Sequence, residues 1–142
     1  MTALVSVAHA CGQLVYHLEW CTKYRFKMLR QPRFIKSCEE AVRESARKWG
    51  IVVLELSVMS DHVHALVSIK PSMSVSKALN LLKGSSSHAL FQLEPKFRLR
   101  YWGGSFWSRG SFYRSVGDAD LETVSRYIRE DNDPWQRQLP NY

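Results

Sequence analysis

The sharpest chemical feature of the 142-residue sequence is a pair of histidines separated by one apolar residue, His62-Val63-His64, preceded by Ser60-Asp61. They open a run ending at Ile69 that reads as a strand. Alternation along a strand sends Val63, Ala65, Val67 and Ile69 to one face and His62 and His64 to the other. The two Cα atoms then sit about 6.5–7 Å apart. Imidazoles at that spacing can converge on one metal ion and leave positions for a phosphate and water. The competing reading is two surface histidines on a half-exposed sheet, because so short a motif also arises by chance.

A second chemical group lies near the C-terminus. Leu121, Val124 and Ile128 form the apolar stripe of a helix, and Tyr127 lies roughly 90° round from it, since each residue turns about 100°. Its hydroxyl can therefore reach outward from the margin, and Asp131 is one turn further along the same side. A phenol, with its pKa of about 10, is a weak nucleophile unless a metal polarises the group it attacks. A tyrosine that merely packs its ring and wets its hydroxyl would look the same.

The third feature is the stretch from Lys96 to Arg114. Lys96, Arg98, Arg100, Arg109 and Arg114 are interleaved with Phe97, Tyr101, Trp102, Phe106, Trp107, Phe112 and Tyr113, with no acidic residue between Glu94 and Asp118. Cations can follow a phosphate backbone while aromatic faces stack on unpaired bases. Phe106 and Phe112 are expected in the core. Arg98, Arg100, Trp102, Arg109 and Arg114 are the candidate contacts, together with Lys23, Arg25 and Lys83 from elsewhere in the chain. His9, His17 and His88 have no evident partner and are read as structural.

The elements that must position these groups follow from periodicity. Leu14 to Phe26 alternates as one long strand, with His17 and Glu19 on the side away from Leu18 and Trp20. Pro32 opens a helix with apolar residues at Phe34, Cys38, Val42, Ala46 and Trp49, stopped by Gly50. Residues 51–58 and 62–69 form an antiparallel pair across a tight connection at Met59-Ser60-Asp61. Ser74 caps a second helix, weakened in its middle by Gly84-Ser85-Ser86-Ser87. Phe106 to Ser115 reads as a last strand, turned at Arg109-Gly110, and the helix from Ala119 to about Asp131 follows. The order is β-α-β-β-α-β plus a terminal helix. That is an α+β, ferredoxin-like or RRM-like fold, with an antiparallel sheet, two helices on one face and the other face left free.

Length and composition suit one domain spanning residues 1–142, with 1–13 a loose or accessory N-terminus and 133–142 a tail. A formal charge of +7 favours a polyanionic partner. Three cysteines without close spacing argue against a disulfide scaffold or a cysteine zinc site. With no long apolar span and no basic leader, a cytoplasmic protein that does not cross a membrane is expected.

Taken in order, these landmarks resemble the single-tyrosine HUH transposases, the IS200-like enzymes of simple insertion sequences, named for histidine-hydrophobic-histidine. The matching segments are Tyr16-His17-Leu18-Glu19-Trp20-Cys21-Thr22-Lys23-Tyr24-Arg25, Met59 to His64, Leu82-Lys83-Gly84, Phe106 to Phe112, and Val124-Ser125-Arg126-Tyr127-Ile128-Arg129. The resemblance implies a homodimer that binds the hairpin ends of a transposon as single-stranded DNA, with active sites shared between subunits. Tyr127 would attack the scissile phosphate and hold the 5′ end as a phosphotyrosine, and Mg²⁺ or Mn²⁺ would sit on His62 and His64. The family often has a glutamine four residues after the tyrosine as a third ligand. Here Asp131 occupies that place, flanked by Glu130 and Asn132. Two other readings stay open at this point. One is a tyrosine nuclease of genomic hairpin repeats that mobilises nothing. The other is a non-catalytic single-strand binding module.

Overall fold

The computed structural model describes residues 4–7, 10–117 and 120–130. Its frame is a four-stranded sheet built from β3 (Val15–Cys21), β4 (Val52–Val58), β5 (His62–Ser68) and β6 (Phe112–Ser115). The strands lie in the order β4-β5-β3-β6, with every neighbouring pair antiparallel. With α1 (Pro32–Lys48) after β3 and α2 (Val75–Leu93) after β5, this is the ferredoxin-like order expected from the sequence. A short hairpin, β1 (Val5–Val7) with β2 (Ala10–Gly12), occupies the segment read as an accessory N-terminus.

Strand alternation divides the sheet between two cores. Leu18, Trp20, Val63, Ala65 and Val67 face α1 and α2, where they pack with Cys38, Val42, Ala46, Ala78, Leu82 and Leu90. The other face carries a second, smaller cluster. There Ile128 of α3 (Leu121–Glu130) is fully buried against Val15 and Leu66, with Leu54, Val116, Leu121 and Val124 around it. The terminal helix thus covers part of the face that the sequence left open.

Three boundaries differ from expectation. The first long strand ends at Cys21 rather than Phe26, because Tyr24 and Arg25 adopt positive φ (61° and 53°), which breaks extended pairing. The turn is secured by Thr22 Oγ1, which donates to the Phe26 carbonyl (2.6 Å), and by the Tyr101 hydroxyl, which donates to the Lys23 carbonyl (2.6 Å). α2 runs unbroken through Gly84-Ser85-Ser86-Ser87. Ser86 and Ser87 are buried there as acceptors: Trp107 Nε1 donates to Ser86 Oγ (2.8 Å) and the Phe106 amide to Ser87 Oγ (2.9 Å). Small hydroxyl residues let the 106–107 segment lie against the helix and satisfy it. That docking in turn splits the expected strand 106–115: Trp107 bridges Thr22, and ladder pairing resumes only at Phe112.

Candidate active site

All seven residues of β5 are buried, with His62 at 4% and His64 at 0% exposure. The two imidazoles share the face opposite the helical core, as alternation requires, but they are not surface groups. Their ring centroids are 4.9 Å apart. The tight connection before β5 places Asp61 beside His62, whose Nδ1–H donates to Asp61 Oδ1 (2.7 Å). A neutral imidazole donating from Nδ1 carries its lone pair on Nε2, the arrangement in which a histidine binds a metal. Asp61 also lies 3.5 Å from Arg25 Nε through its other oxygen. One carboxylate therefore joins the basic turn after β3 to the first histidine.

β3 completes the site. Its register sets Glu19 opposite His64 and Cys21 opposite His62. Glu19 Oε1 lies 2.7 Å from His64 Nδ1 and 3.2 Å from His17 Nε2, and the two imidazoles approach to 3.4 Å. Glu19 is completely buried, and neither carboxylate oxygen has a correctly aligned hydrogen-bond donor. Burial by itself would raise the carboxyl's pKa. The neighbouring His17 and His64 outweigh it and hold the group down to about 2, so it is ionised at neutral pH. Donor atoms of His17, Glu19 and His64 all lie within 4.8 Å of one another, a nitrogen and oxygen set suited to a divalent cation.

His17 and Glu19 were not among the residues assigned to the site from sequence. His17 was read as a histidine without a functional partner. The available signal was the alternation of the first strand, which places both on the histidine face once that strand pairs with residues 62–68.

Tyr127 is half-buried on α3, with the Arg126 guanidinium 6.0 Å from its ring centroid. The neighbouring Ile128 seats the helix on Leu66, which lies on the same strand face as His62 and His64. Ser125 Oγ donates to Glu55 Oε2 (2.7 Å), and Arg129 lies 3.7 Å from the same carboxylate. The histidines and the tyrosine-bearing helix are thus brought to one side of the sheet. Asp131 lies outside the described residues, as do Asn132 and His9.

The basic and aromatic residues separate into three groups. Phe97, Tyr101, Phe106 and Trp107 are core, so Tyr101 and Trp107 join Phe106 there, while Phe112 is half-buried with its ring 5.8 Å from His17. Lys83, Arg98 and Lys23 brace loops. Lys83 Nζ donates to the carbonyls of Arg109 and Gly110 and to Ser111 Oγ (3.2, 3.1 and 2.9 Å), and its burial brings its pKa down to about 8. Arg98 stacks on Phe91 (3.5 Å to the centroid) and donates to the Tyr101 and Gly104 carbonyls, while Lys23 Nζ donates to Gly103 O. Trp102 (89% exposed), Arg109 and Arg114 face outward. Lys23, Tyr24, Arg100, Tyr101, Trp102 and Gly103 line an open cavity of about 280 Å³, in which Arg100 stacks on Phe26 (3.9 Å).

Comparison with known proteins places this arrangement. Residues 10–131 match the family model described as "Transposase IS200 like". The chain belongs to the IS200-like transposase family. It is 31% identical over 121 residues to the ISDra2 transposase TnpA of Deinococcus radiodurans, covering 85% of this chain and 86% of that protein. It is 34% identical over 128 residues to the transposase for insertion sequence element IS200 of Salmonella typhimurium, covering 87% and 80%. Its fold matches a Deinococcus radiodurans R1 protein whose crystal structure is described as that of a candidate transposase (TM-score 0.72, 27% identity, 89% and 96% covered). It also matches the REP-associated tyrosine transposase bound to a REP hairpin (TM-score 0.62, 12% identity, 89% and 72% covered), a likeness of fold. As a transposase of this family, the protein is an enzyme that cuts and transfers DNA strands. Among the described residues, no helix is long and apolar enough to cross a membrane.

Proposed function

We propose that this transposase binds hairpin ends of its element as single-stranded DNA and cleaves and rejoins them with Tyr127 as nucleophile. His62 and His64 would hold Mg²⁺ or Mn²⁺, with Asp131 as a third ligand. The observation that carries this reading is the common sheet face: His62 and His64 lie on it, and Ile128, next to Tyr127, docks α3 on it. The bound ion supplies charge neutralisation at the scissile phosphate. The rest of the chemistry belongs to the chain. The Tyr127 phenol loses its proton and its oxygen attacks phosphorus. The bond to the 3′ oxygen breaks, leaving a 3′ hydroxyl on one strand and a 5′ phosphotyrosine on the protein. Attack of another 3′ hydroxyl on that phosphotyrosine rejoins DNA and restores the phenol, so the phosphodiester energy is conserved throughout.

Arg100, Trp102, Arg109 and Arg114 face outward as direct DNA contacts, with Arg25 reaching the phosphate side through the Asp61 link. Lys23, Lys83 and Arg98 serve the same surface by holding its loops. The active form is a homodimer in which α3 of either subunit presents Tyr127 to a histidine site. A helix docked through a small cluster separate from the main core suits such exchange. A purely non-catalytic binding module would have no use for the buried histidine and carboxylate group.

The test is incubation with a labelled single-stranded end fragment and Mn²⁺, followed by denaturing electrophoresis. Wild type forms a covalent adduct; Tyr127→Phe forms none and binds the DNA as tightly. An adduct that persists in Tyr127→Phe removes this tyrosine from the nucleophile role.

A further inference from the structure

We infer that Glu19 is itself a ligand of the metal ion, so that the sheet provides a carboxylate to the site independently of the tyrosine helix. This rests on the metal-dependent reading above and adds a residue to it. Three observations carry it. The first is spacing. For ligand bonds of about 2.0–2.2 Å, neighbouring donor atoms on one ion lie roughly 2.8–3.6 Å apart. The separations among Glu19 Oε1, His64 Nδ1 and His17 Nε2 are 2.7, 3.2 and 3.4 Å, essentially that window.

The second observation is direction. Were Glu19 an ordinary ion-pair partner of the imidazoles, their N–H bonds would aim at its oxygens. They approach without that alignment, and both carboxylate oxygens are left without a hydrogen bond. A fully buried carboxylate in that condition has coordination left to offer a cation. The third is register. Glu19 is held directly across from His64 by the β3–β5 ladder, in the rigid centre of the sheet. Asp131, by contrast, follows α3, whose attachment is one small cluster. A sheet-borne carboxylate keeps the ion in place while the helix carrying Tyr127 reseats on another subunit.

The experiment measures Mn²⁺ binding by calorimetry on the DNA-free full chain, together with melting with and without Mn²⁺ and the Co²⁺ absorption spectrum. Glu19→Gln is expected to weaken Mn²⁺ by about tenfold or more and to change the Co²⁺ spectrum at saturation. Mn²⁺ should raise the melting temperature of wild type by more than that of Glu19→Gln. Glu19→Asp should recover part of the affinity, and Asp131→Asn should retain most of it. Wild-type affinity and an unchanged spectrum in Glu19→Gln, with His64→Ala no longer binding, overturn the inference alone. So does weakened binding with an unchanged Co²⁺ spectrum. A wild-type chain that binds no Mn²⁺ overturns both this inference and the metal site of the proposed function.

Discussion

Replacing Ile128 with alanine should detach the tyrosine helix while leaving the body of the protein folded. Ile128 is the fully buried residue of α3, and it meets the sheet only in the minor cluster with Val15 and Leu66. The change removes the equivalent of three methylene groups, at about 0.8 kcal/mol each, and leaves a cavity in addition. A small, peripheral cluster can partly collapse, so a cost of about 2–3 kcal/mol is expected, toward the low end for an aliphatic-to-alanine change in a core. That is roughly a 30- to 150-fold shift toward the undocked helix. The remaining ties of α3, Ser125 and Arg129 to Glu55, are half-exposed polar contacts that would not offset such a loss. Hydrogen exchange read by mass spectrometry should show lost protection across residues 121–130 while β3, β5 and α2 keep theirs. Adduct formation should drop, with hairpin binding retained. If protection falls equally across the sheet, or if α3 remains as protected as in wild type, the division into a main core and a detachable helix is wrong.

Two further perturbations separate the roles assigned above. Trp102→Ala should cost about 1–3 kcal/mol of single-strand affinity, the usual worth of one stacked base. It should leave the melting temperature unchanged, since the side chain is 89% exposed; a titration by fluorescence anisotropy, paired with a melt, decides it. For Lys83, burial lowers the folded-state pKa to about 8 from an ordinary 10.5, so between those values the unfolded chain holds more protons than the folded one. Wild type should therefore gain stability relative to Lys83→Met as pH rises from about 8 to 10.5, and show no such relative change below 8. Urea midpoints for the two proteins across that range provide the check. A relative loss over the window would show that the ammonium is favoured, not penalised, in its loop.

Much of this architecture is legible from local pattern. Helical spacing after Pro32 and from about Ala119, β-branched richness in 51–58 and alternation in 62–69 are local signals, and the structure has α1, α3, β4 and β5 there. What failed to show in sequence depends on partners far along the chain. Nothing local about Tyr24 and Arg25 announces positive φ, because neither is glycine; the conformation is held by Thr22 and by Tyr101, 77 residues beyond Tyr24. The serine run in α2 reads as a weak point until Phe106 and Trp107 arrive to donate to it. In the site, His62-Val63-His64 was visible because its chemistry is written in three consecutive residues. His17 and Glu19 were not singled out, since their meaning comes from the ladder that lays one strand beside another 47 residues away. The burial of both histidines was equally out of reach, because what covers a sheet face is decided by docking.

The distribution of burial between the two cores bears on how a strand transferase of this family can work. The proposed metal-holding residues, His17, Glu19, His62 and His64, are built on β3 and β5, the two central strands, each paired on both sides. The proposed nucleophile, Tyr127, sits on a helix joined to the sheet by a cluster in which Ile128 is its one fully buried side chain. Asp61 extends the proposed metal-holding group outward, with one oxygen on His62 and the other near Arg25. Precise placement of a phosphate and free exchange of its covalent partner make opposite demands on rigidity. Dividing them between central strands and a helix docked on the same sheet face meets both.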